Sequence, residues 1–365
     1  MRPAAAVASA RPLARYRGPK PARIIKGPMK RDELYLGVDL GGVNVRAGVI
    51  DSAGHVLGQE KHRLLSKEPP QVAEAVLRAA KTACGAAGMP FSEMKAMGLG
   101  VAGMIDRGQG MVRSAPALGW RDVPFLKLLQ ARTPRTPLWI ASELSVSVWA
   151  ERAVGAGRGA NDLIVVLVGA TVGAGIVMDG KLHEGASGAS GDLGHVQVMP
   201  NGRVCSCGQR GCLEAYTGGQ SLSAWARDDL RIALAAARAA GQRYPALGRK
   251  LLDLSGEPEK VTVALMEKAA HEGDELSRRL LDEGGRLLGI ALANLVTTLN
   301  PSRLLLGGGV LLASPRMTRE AIAGIDAHAT KASRAAVQIS APELGEQAGM
   351  VGAALLARES LSAAA

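Results

Sequence analysis

The sequence predicts an α/β fold built as two similar halves around a cleft, with a metal-holding loop in the second half. Three stretches carry that expectation. Tyr35–Asp51 and Leu163–Gly180 each read as apolar strand, glycine-rich turn, strand. His195–Glu214 gathers three of the four cysteines in the chain.

A chain of 365 residues with 47% apolar content can bury the cores of two ordinary domains. No apolar run reaches the roughly 18 residues of a membrane span, so no membrane partner is expected. The net charge of +11 is unevenly spread: residues 1–31 hold nine Lys/Arg and no acid, which leaves the remainder near +2. A nearly neutral body speaks against a nucleic-acid partner. The basic, proline-rich segment at residues 1–33 lacks periodicity and a sustained apolar run, so it is expected to be a disordered arm rather than a secretory signal. Met29 is a second candidate start, and a cytoplasmic location follows from the missing signal and the reduced cysteines.

The first half is expected over residues 34–157. Its opening hairpin places Asp39 before the turn Gly41-Gly42-Val43-Asn44. Glycines there let backbone N–H groups approach phosphate oxygens, and Asp39 can reach a phosphate-bound Mg²⁺. Pro69 to Ala87 has helical spacing, with Cys84 as a small core residue. Ala96–Gly103 reads as a buried strand running into a loop that continues through Ala117 to Trp120. A short strand from Pro137 then enters a helix, where Ser142 suits an N-cap and Glu143 a first-turn acid.

Glycines at 155–159 mark the expected boundary, and the second half is placed at residues 158–344. Its hairpin turns at Gly169-Ala170-Thr171 and Gly173, a second candidate phosphate turn. The sequence Cys205-x-Cys207-x₄-Cys212, with His195 ten residues before, offers four ligands suited to tetrahedral zinc. Three unrelated buried thiols, or a disulfide, explain the cluster less well, because cysteine is otherwise almost absent and the chain reads as reduced. Four protein ligands leave no open position, so the zinc is expected to be structural. Residues 219–299 are expected to be largely helical, broken at Pro245 and Gly256–Pro258, with a long helix from Glu275 to Leu299 before Asn300-Pro301. Arg303–Val310 then gives a strand running into Gly307-Gly308-Gly309, and a closing helix at 345–360 packs back on the first half.

The segments Gly191-Asp-Leu-Gly-His195 and Cys205-Ser-Cys-Gly-Gln-Arg-Gly-Cys-Leu-Glu214 closely resemble the zinc-bearing signature of the ROK proteins. These are bacterial sugar kinases and related sugar-responsive repressors. The resemblance runs from about Tyr35 to about Ala357 and implies duplicated actin-like, ribonuclease H-like ATPase domains. It implies that His195 binds zinc and touches the sugar, that Glu214 and Asp192 contact sugar hydroxyls, and that Gly103 and Ser142 line the same pocket. Glu143 falls on the family's catalytic base. The turns at 39–44 and 169–173 match its phosphate loops, and Gly307–Gly309 its adenosine-side loop.

The implied activity is ATP-dependent phosphorylation of a hexose, glucose by default, with ATP, Mg²⁺ and a structural zinc as cofactors and a homodimer as the assembly. Mannose, fructose and N-acetylated hexosamines stay open. Five departures from the family's text define the competing reading, a sugar-binding or sensor protein with little or no catalysis. Val43 replaces a threonine, Ala117 and Ser142 replace asparagines, Glu143 replaces aspartate, and Ala170-Thr171 replaces Thr-Gly. The repressor branch carries a helix-turn-helix domain, for which the arm is too short and irregular.

Overall fold

The computed structural model describes residues 33–364. The expected basic arm up to residue 32, and the alternative start at Met29, lie outside them. The first sheet combines β1 (Leu34–Leu40), β2 (Asn44–Asp51), β3 (Val56–Arg63), β4 (Ala96–Val101) and β8 (Leu138–Ser142) in the order β3-β2-β1-β4-β8. Between β4 and β8 a side sheet forms from β5 (Met104–Asp106), β6 (Met111–Ala115) and β7 (Trp120–Val123). The second sheet combines β9 (Leu163–Val168), β10 (Val172–Met178), β11 (Lys181–Leu182), β12 (Arg303–Gly307) and β13 (Gln338–Ser340) in the order β11-β10-β9-β12-β13. In both sheets the first three strands form antiparallel hairpins and the last two add in parallel.

Each sheet is covered on one face by its own helices. Helix α1 (Pro69–Ala86) lies with α2 (Phe125–Gln130) over the first sheet, where Val72, Val76 and Ala80 join Leu36 and Leu99 in one core. Cys84 is buried there, and burial pushes its thiol up to about 11. The second sheet is covered by a larger helical layer. It comprises α4 (Glu214–Thr217), α5 (Gly219–Ala239), α6 (Arg249–Ser255), α7 (Val263–His271), α8 (Glu275–Leu299), α9 (Gly309–Ala313), α10 (Pro315–His328) and α11 (Lys331–Ala336). Helix α8 spans the expected residues for local reasons. Asp274 caps its start by accepting the Ser277 N–H at 2.9 Å, and Asn300 ends it with a left-handed φ of 45° before Pro301.

The other faces of the two sheets meet around α3 (Glu143–Val154) and α12 (Ala348–Ala364). Helix α12 lies directly on the backbone of β1 and β4. A Cβ on Gly37 would stand 1.7 Å from the Met350 carbonyl oxygen, and one on Gly98 1.9 Å from that of Ala353. Side chains at these glycines would force the helix off the sheet. Met350, Val351 and Leu355 are fully buried in this layer, where truncating Met350 or Leu355 to alanine typically costs about 2–5 kcal/mol.

The chain crosses between the sheets at residues 155–162 and 341–347, and Glu151 of α3 holds both crossings. Its carboxylate accepts the N–H groups of Ala156 at 2.9 Å, Glu343 at 2.9 Å and Leu344 at 2.8 Å, and is 1% exposed. No helix among the described residues is long and apolar enough to cross a membrane.

Candidate active site

The start of α3 is shaped by its cap. Ser142 Oγ accepts the Ser145 N–H at 3.0 Å and donates to Ser145 Oγ at 2.9 Å. Ser142 is therefore an N-cap, as its residue type suggests, and it fixes the first turn that carries Glu143. Glu143 faces the end of β1. Burial, and then the neighbouring Asp39 carboxylate, push its pKa up to about 7 against the lowering influence of Arg46. Burial also raises Asp39, while Arg46 opposes that shift through a 3.4 Å ion pair. Arg46 lies opposite Asp39 across the β1–β2 hairpin, and its other nitrogen pairs with Glu346 at 2.7 Å. Asp39 and Glu346 thus share one guanidinium at the end of the first hairpin, while burial, and then the Asp39 charge, hold Glu143 up at about 7.

The turn itself is tight. Gly41 N–H donates to the Asn44 carbonyl at 3.0 Å, and Val43 projects outward with 58% exposure. Gly42 abuts Ala117, since a Cβ there would lie 2.6 Å from the Ala117 Cβ. Lys67 Nζ donates to the Ala117 carbonyl at 2.7 Å and so brings a cation beside this turn. Gly103 is close-packed, with Ser114 O only 2.3 Å from where a Cβ would stand. Packing alone accounts for that glycine.

The second turn closes through Gly169 N–H to Thr171 O at 2.9 Å, and the start of α5 docks on it through Gly219 N–H to Gly169 O at 2.8 Å. Beside it opens a cavity of about 600 Å³, lined by Gly169 and Ala170, by Gly309 and by Gln220, Ser223 and Arg227 of α5. Arg227 donates to the Val261 carbonyl at 3.0 Å, while its buried Nε has no partner. Gly173 instead admits Leu144, whose Cδ1 lies 2.5 Å from an added Cβ, so it serves the packing of β10 on α3. Gly308 has φ +97° and packs against Val168, and Gly307 packs against Pro342. Of the third glycine cluster, Gly309 reaches the cavity.

The cysteine loop gathers four donors. One ligand atom from each of His195, Cys205, Cys207 and Cys212 lies within 4.8 Å of every other. Cys207 Sγ and Cys212 Sγ are 3.7 Å apart, and Cys205 Sγ is 3.5 Å from His195 Nδ1. Tetrahedral zinc with Zn–S bonds of about 2.3 Å places its sulfurs about 3.8 Å apart, so the residues fit that ion. Burial and the adjacent thiols push Cys212 up to about 12, a cost that a cation among the sulfurs would remove. Gly208 and Gly211 take φ of +89° and +77° where the chain doubles back. With Nδ1 on the sulfur side, His195 Nε2 faces Asp192 at 3.9 Å.

Glu214 heads α4 and is 5% exposed. Its Oε2 accepts the Val172 N–H at 3.0 Å and its Oε1 accepts Ser206 Oγ at 3.0 Å. Glu214 thereby ties the cysteine loop to the strand leaving the second turn, with one lone pair per oxygen still free for a ligand. Glu184, at the start of the loop that leads to His195, accepts from Arg107 at 2.7 Å and from Ser145 Oγ at 3.3 Å.

Glu143 and Asp39 are thus brought together at one hairpin, and Asp192, His195 and Glu214 around the cysteine loop. Gly169, Ala170 and Gly309 share the cavity. The sequence reading did not include Arg46, Lys67, Arg107, Glu184, Ser206 or Arg227. Arg46 had a signal in the hairpin register, and Ser206 in its place between two ligand cysteines.

A sequence model of the ROK family matches residues 35–360. The glucokinase of Streptomyces coelicolor is 31% identical over 334 residues, covering 89% of this chain and 98% of that one. A ROK family glucokinase from Streptomyces griseus, solved in complex with glucose and AMPPNP, aligns with a TM-score of 0.70 at 30% identity, over 89% of this chain and 99% of that one. The xylose repressor of Caldicellulosiruptor bescii is 29% identical over 282 residues, which are 74% of this chain and 65% of the repressor.

Proposed function

The chain belongs to the ROK family, and from that premise we propose that it is an ATP-dependent hexose kinase, with glucose as the default substrate. The observation that carries this reading is Glu143 at the start of α3, titrating near 7 beside Asp39 and Arg46. Glu143 takes the proton from the attacking sugar hydroxyl, and a pKa near working pH suits a general base. Asp192, His195 Nε2 and the free lone pairs of Glu214 hold and orient the sugar. The backbone at 41–44 and 169–171 receives the nucleotide phosphates, and the cavity beside Arg227 receives the nucleoside. Bound at Asp39, Mg²⁺ would neutralise charge on the phosphates; a zinc held by His195 and the three cysteines would brace the sugar-side loop.

The matching strand orders support reading the chain as a duplicated ATPase unit, with halves at 34–157 and 158–344 and a closing segment at 345–360. The similarity to glucose-binding and glucokinase relatives supports the substrate class.

A second reading, a sugar sensor with little turnover, is favoured by the similarity to a xylose repressor and by the five departures at Val43, Ala117, Ser142, Glu143 and Ala170-Thr171. An ADP-release assay of the purified protein against a hexose panel, run beside calorimetric sugar binding, separates the two. Turnover with a hexose selects the kinase. Sugar binding without turnover selects the sensor.

A further inference from the structure

We propose that Glu184 is a positioning residue that fastens the sugar-side loop of one half onto the base-bearing helix of the other. The inference rests on the hexose-site reading above.

The loop from Glu184 to His195 leaves β11 and ends at the cysteine cluster. It is held to the second sheet where Ala174 N–H donates to Gly191 O at 2.7 Å, and it closes on itself where Ser190 N–H donates to Glu184 O at 3.1 Å. Two of its contacts reach across to the first half. Gly188 has φ +77°, and a Cβ there would stand 2.2 Å from Ile105 O of β5. Only a glycine lets the loop lie this close to that strand.

The side chain of Glu184 completes the contact. Its Oε2 accepts from Arg107, at the end of β5, at 2.7 Å, and its Oε1 accepts from Ser145 Oγ at 3.3 Å. Ser145 in turn accepts from Ser142 Oγ, and its N–H is capped by the same oxygen. Ser142 Oγ thus donates to Ser145 Oγ and Ser145 Oγ to Glu184 Oε1, while Arg107 donates to Glu184 Oε2. Glu184 is the common acceptor on which both donor paths end. Both Arg107 and Glu184 keep about a quarter or more of their side chains in solvent, at 30% and 25%. Such a pair adds little to global stability. Its effect is geometric: it fixes where Asp192 and His195 stand relative to Glu143.

A shift of about 1 Å between a bound hydroxyl and its base can cost roughly 10²-fold in rate, so loosening the attachment at Glu184 is expected to be visible. The cysteine cluster anchors the loop at His195, and Glu184 anchors it at its start.

The test uses the full chain with Glu184→Ala, Glu184→Gln, Ser145→Ala and the Ser145→Ala/Glu184→Ala double variant. Hexose affinity is read by calorimetry without nucleotide, and hexose KM, ATP KM and kcat by ADP release. Glu184→Ala should weaken hexose affinity by roughly 10-fold and lower kcat by a similar factor, with ATP KM within about two-fold. Glu184→Gln should fall between wild type and Glu184→Ala, because an amide still accepts from Ser145 but loses the charge facing Arg107. The double variant should be no worse than Glu184→Ala, as for two members of one path. Unchanged hexose affinity and kcat in Glu184→Ala would overturn the proposal. So would additive losses in the double variant, or an ATP KM that rises together with the hexose KM. If wild type binds hexose without turnover, the kinase reading fails while the affinity ratio still decides the role of Glu184. If wild type binds no hexose, both fall.

Discussion

On the proposed nucleotide side of the cleft the working groups are backbone N–H groups of two hairpin turns, whereas on the proposed sugar side they are side chains. At Gly41–Asn44 and Gly169–Thr171 the chain closes on itself through main-chain hydrogen bonds, and Val43 points into solvent. Around the proposed sugar side, Glu143, Asp192, His195 and Glu214 offer carboxylates and an imidazole whose reach depends on every methylene. The same kind of departure from the family's text therefore has unequal weight. Replacing a threonine by Val43 leaves the amide in place, while replacing an asparagine by Ala117 deletes both a donor and an acceptor.

The largest effect that can break this contrast is at the base. Glu143→Gln should lower kcat by about 10²–10⁴-fold with hexose affinity within a few-fold, because the amide has the shape but cannot take the proton. In wild type, turnover should rise as pH increases through about 7, where Glu143 ionises. The sign for stability is opposite. The folded value lies above the ordinary 4.5, so the neutral carboxyl favours folding and that contribution is lost as pH climbs from about 4.5 to about 7. The Gln variant should thus gain in melting temperature relative to wild type above pH 7, and the gap should close toward pH 4.5. Unchanged turnover in Glu143→Gln removes this residue from the mechanism.

Next is the cysteine loop. Metal analysis of protein purified without added zinc should find close to one zinc per chain. Cys207→Ser should lose it, weaken sugar binding and lower the melting temperature, since ligation and loop folding are coupled. Full zinc retention in that variant defeats the assignment of Cys207 as a ligand.

The smaller effects sharpen the contrast directly. Ala117→Asn restores, beside Gly42, the amide that the family resemblance assigns to the sugar, and should change hexose KM by roughly 10-fold. Val43→Thr restores a hydroxyl at the phosphate turn and should move ATP KM by less than about three-fold, because the amide already serves there. Equal effects from the two substitutions would erase the distinction between the sides.

Local features of the sequence made part of this architecture legible. Cysteine is rare enough that the spacing of Cys205, Cys207 and Cys212 with His195 stood out, and in the structure their ligand atoms converge. The glycine turns, the span of α8 and the cap at Ser142 were readable because caps and turns depend on neighbours in sequence. Contacts between distant segments were not. Arg107 and Glu184 are 77 residues apart, and Arg46 and Glu346 are 300 apart, with no periodicity or motif to pair them. The side sheet of β5, β6 and β7 has no strand signature where the sequence predicts a loop, because its short strands gain stability from the tertiary contact rather than from their own pattern.

Glu151 has a bearing on how this chain can be cut and extended. One buried carboxylate holds both segments that pass between the sheets, so the two loops cannot be edited independently. An insertion at residues 155–157 or 342–345 would pull away N–H donors and strand a buried charge, a defect of the order of several kcal/mol. Surface loops elsewhere, such as the exposed stretch at 240–243, carry no such constraint. New termini, tags or inserted domains belong at that stretch, and the two crossings should be kept at their present length.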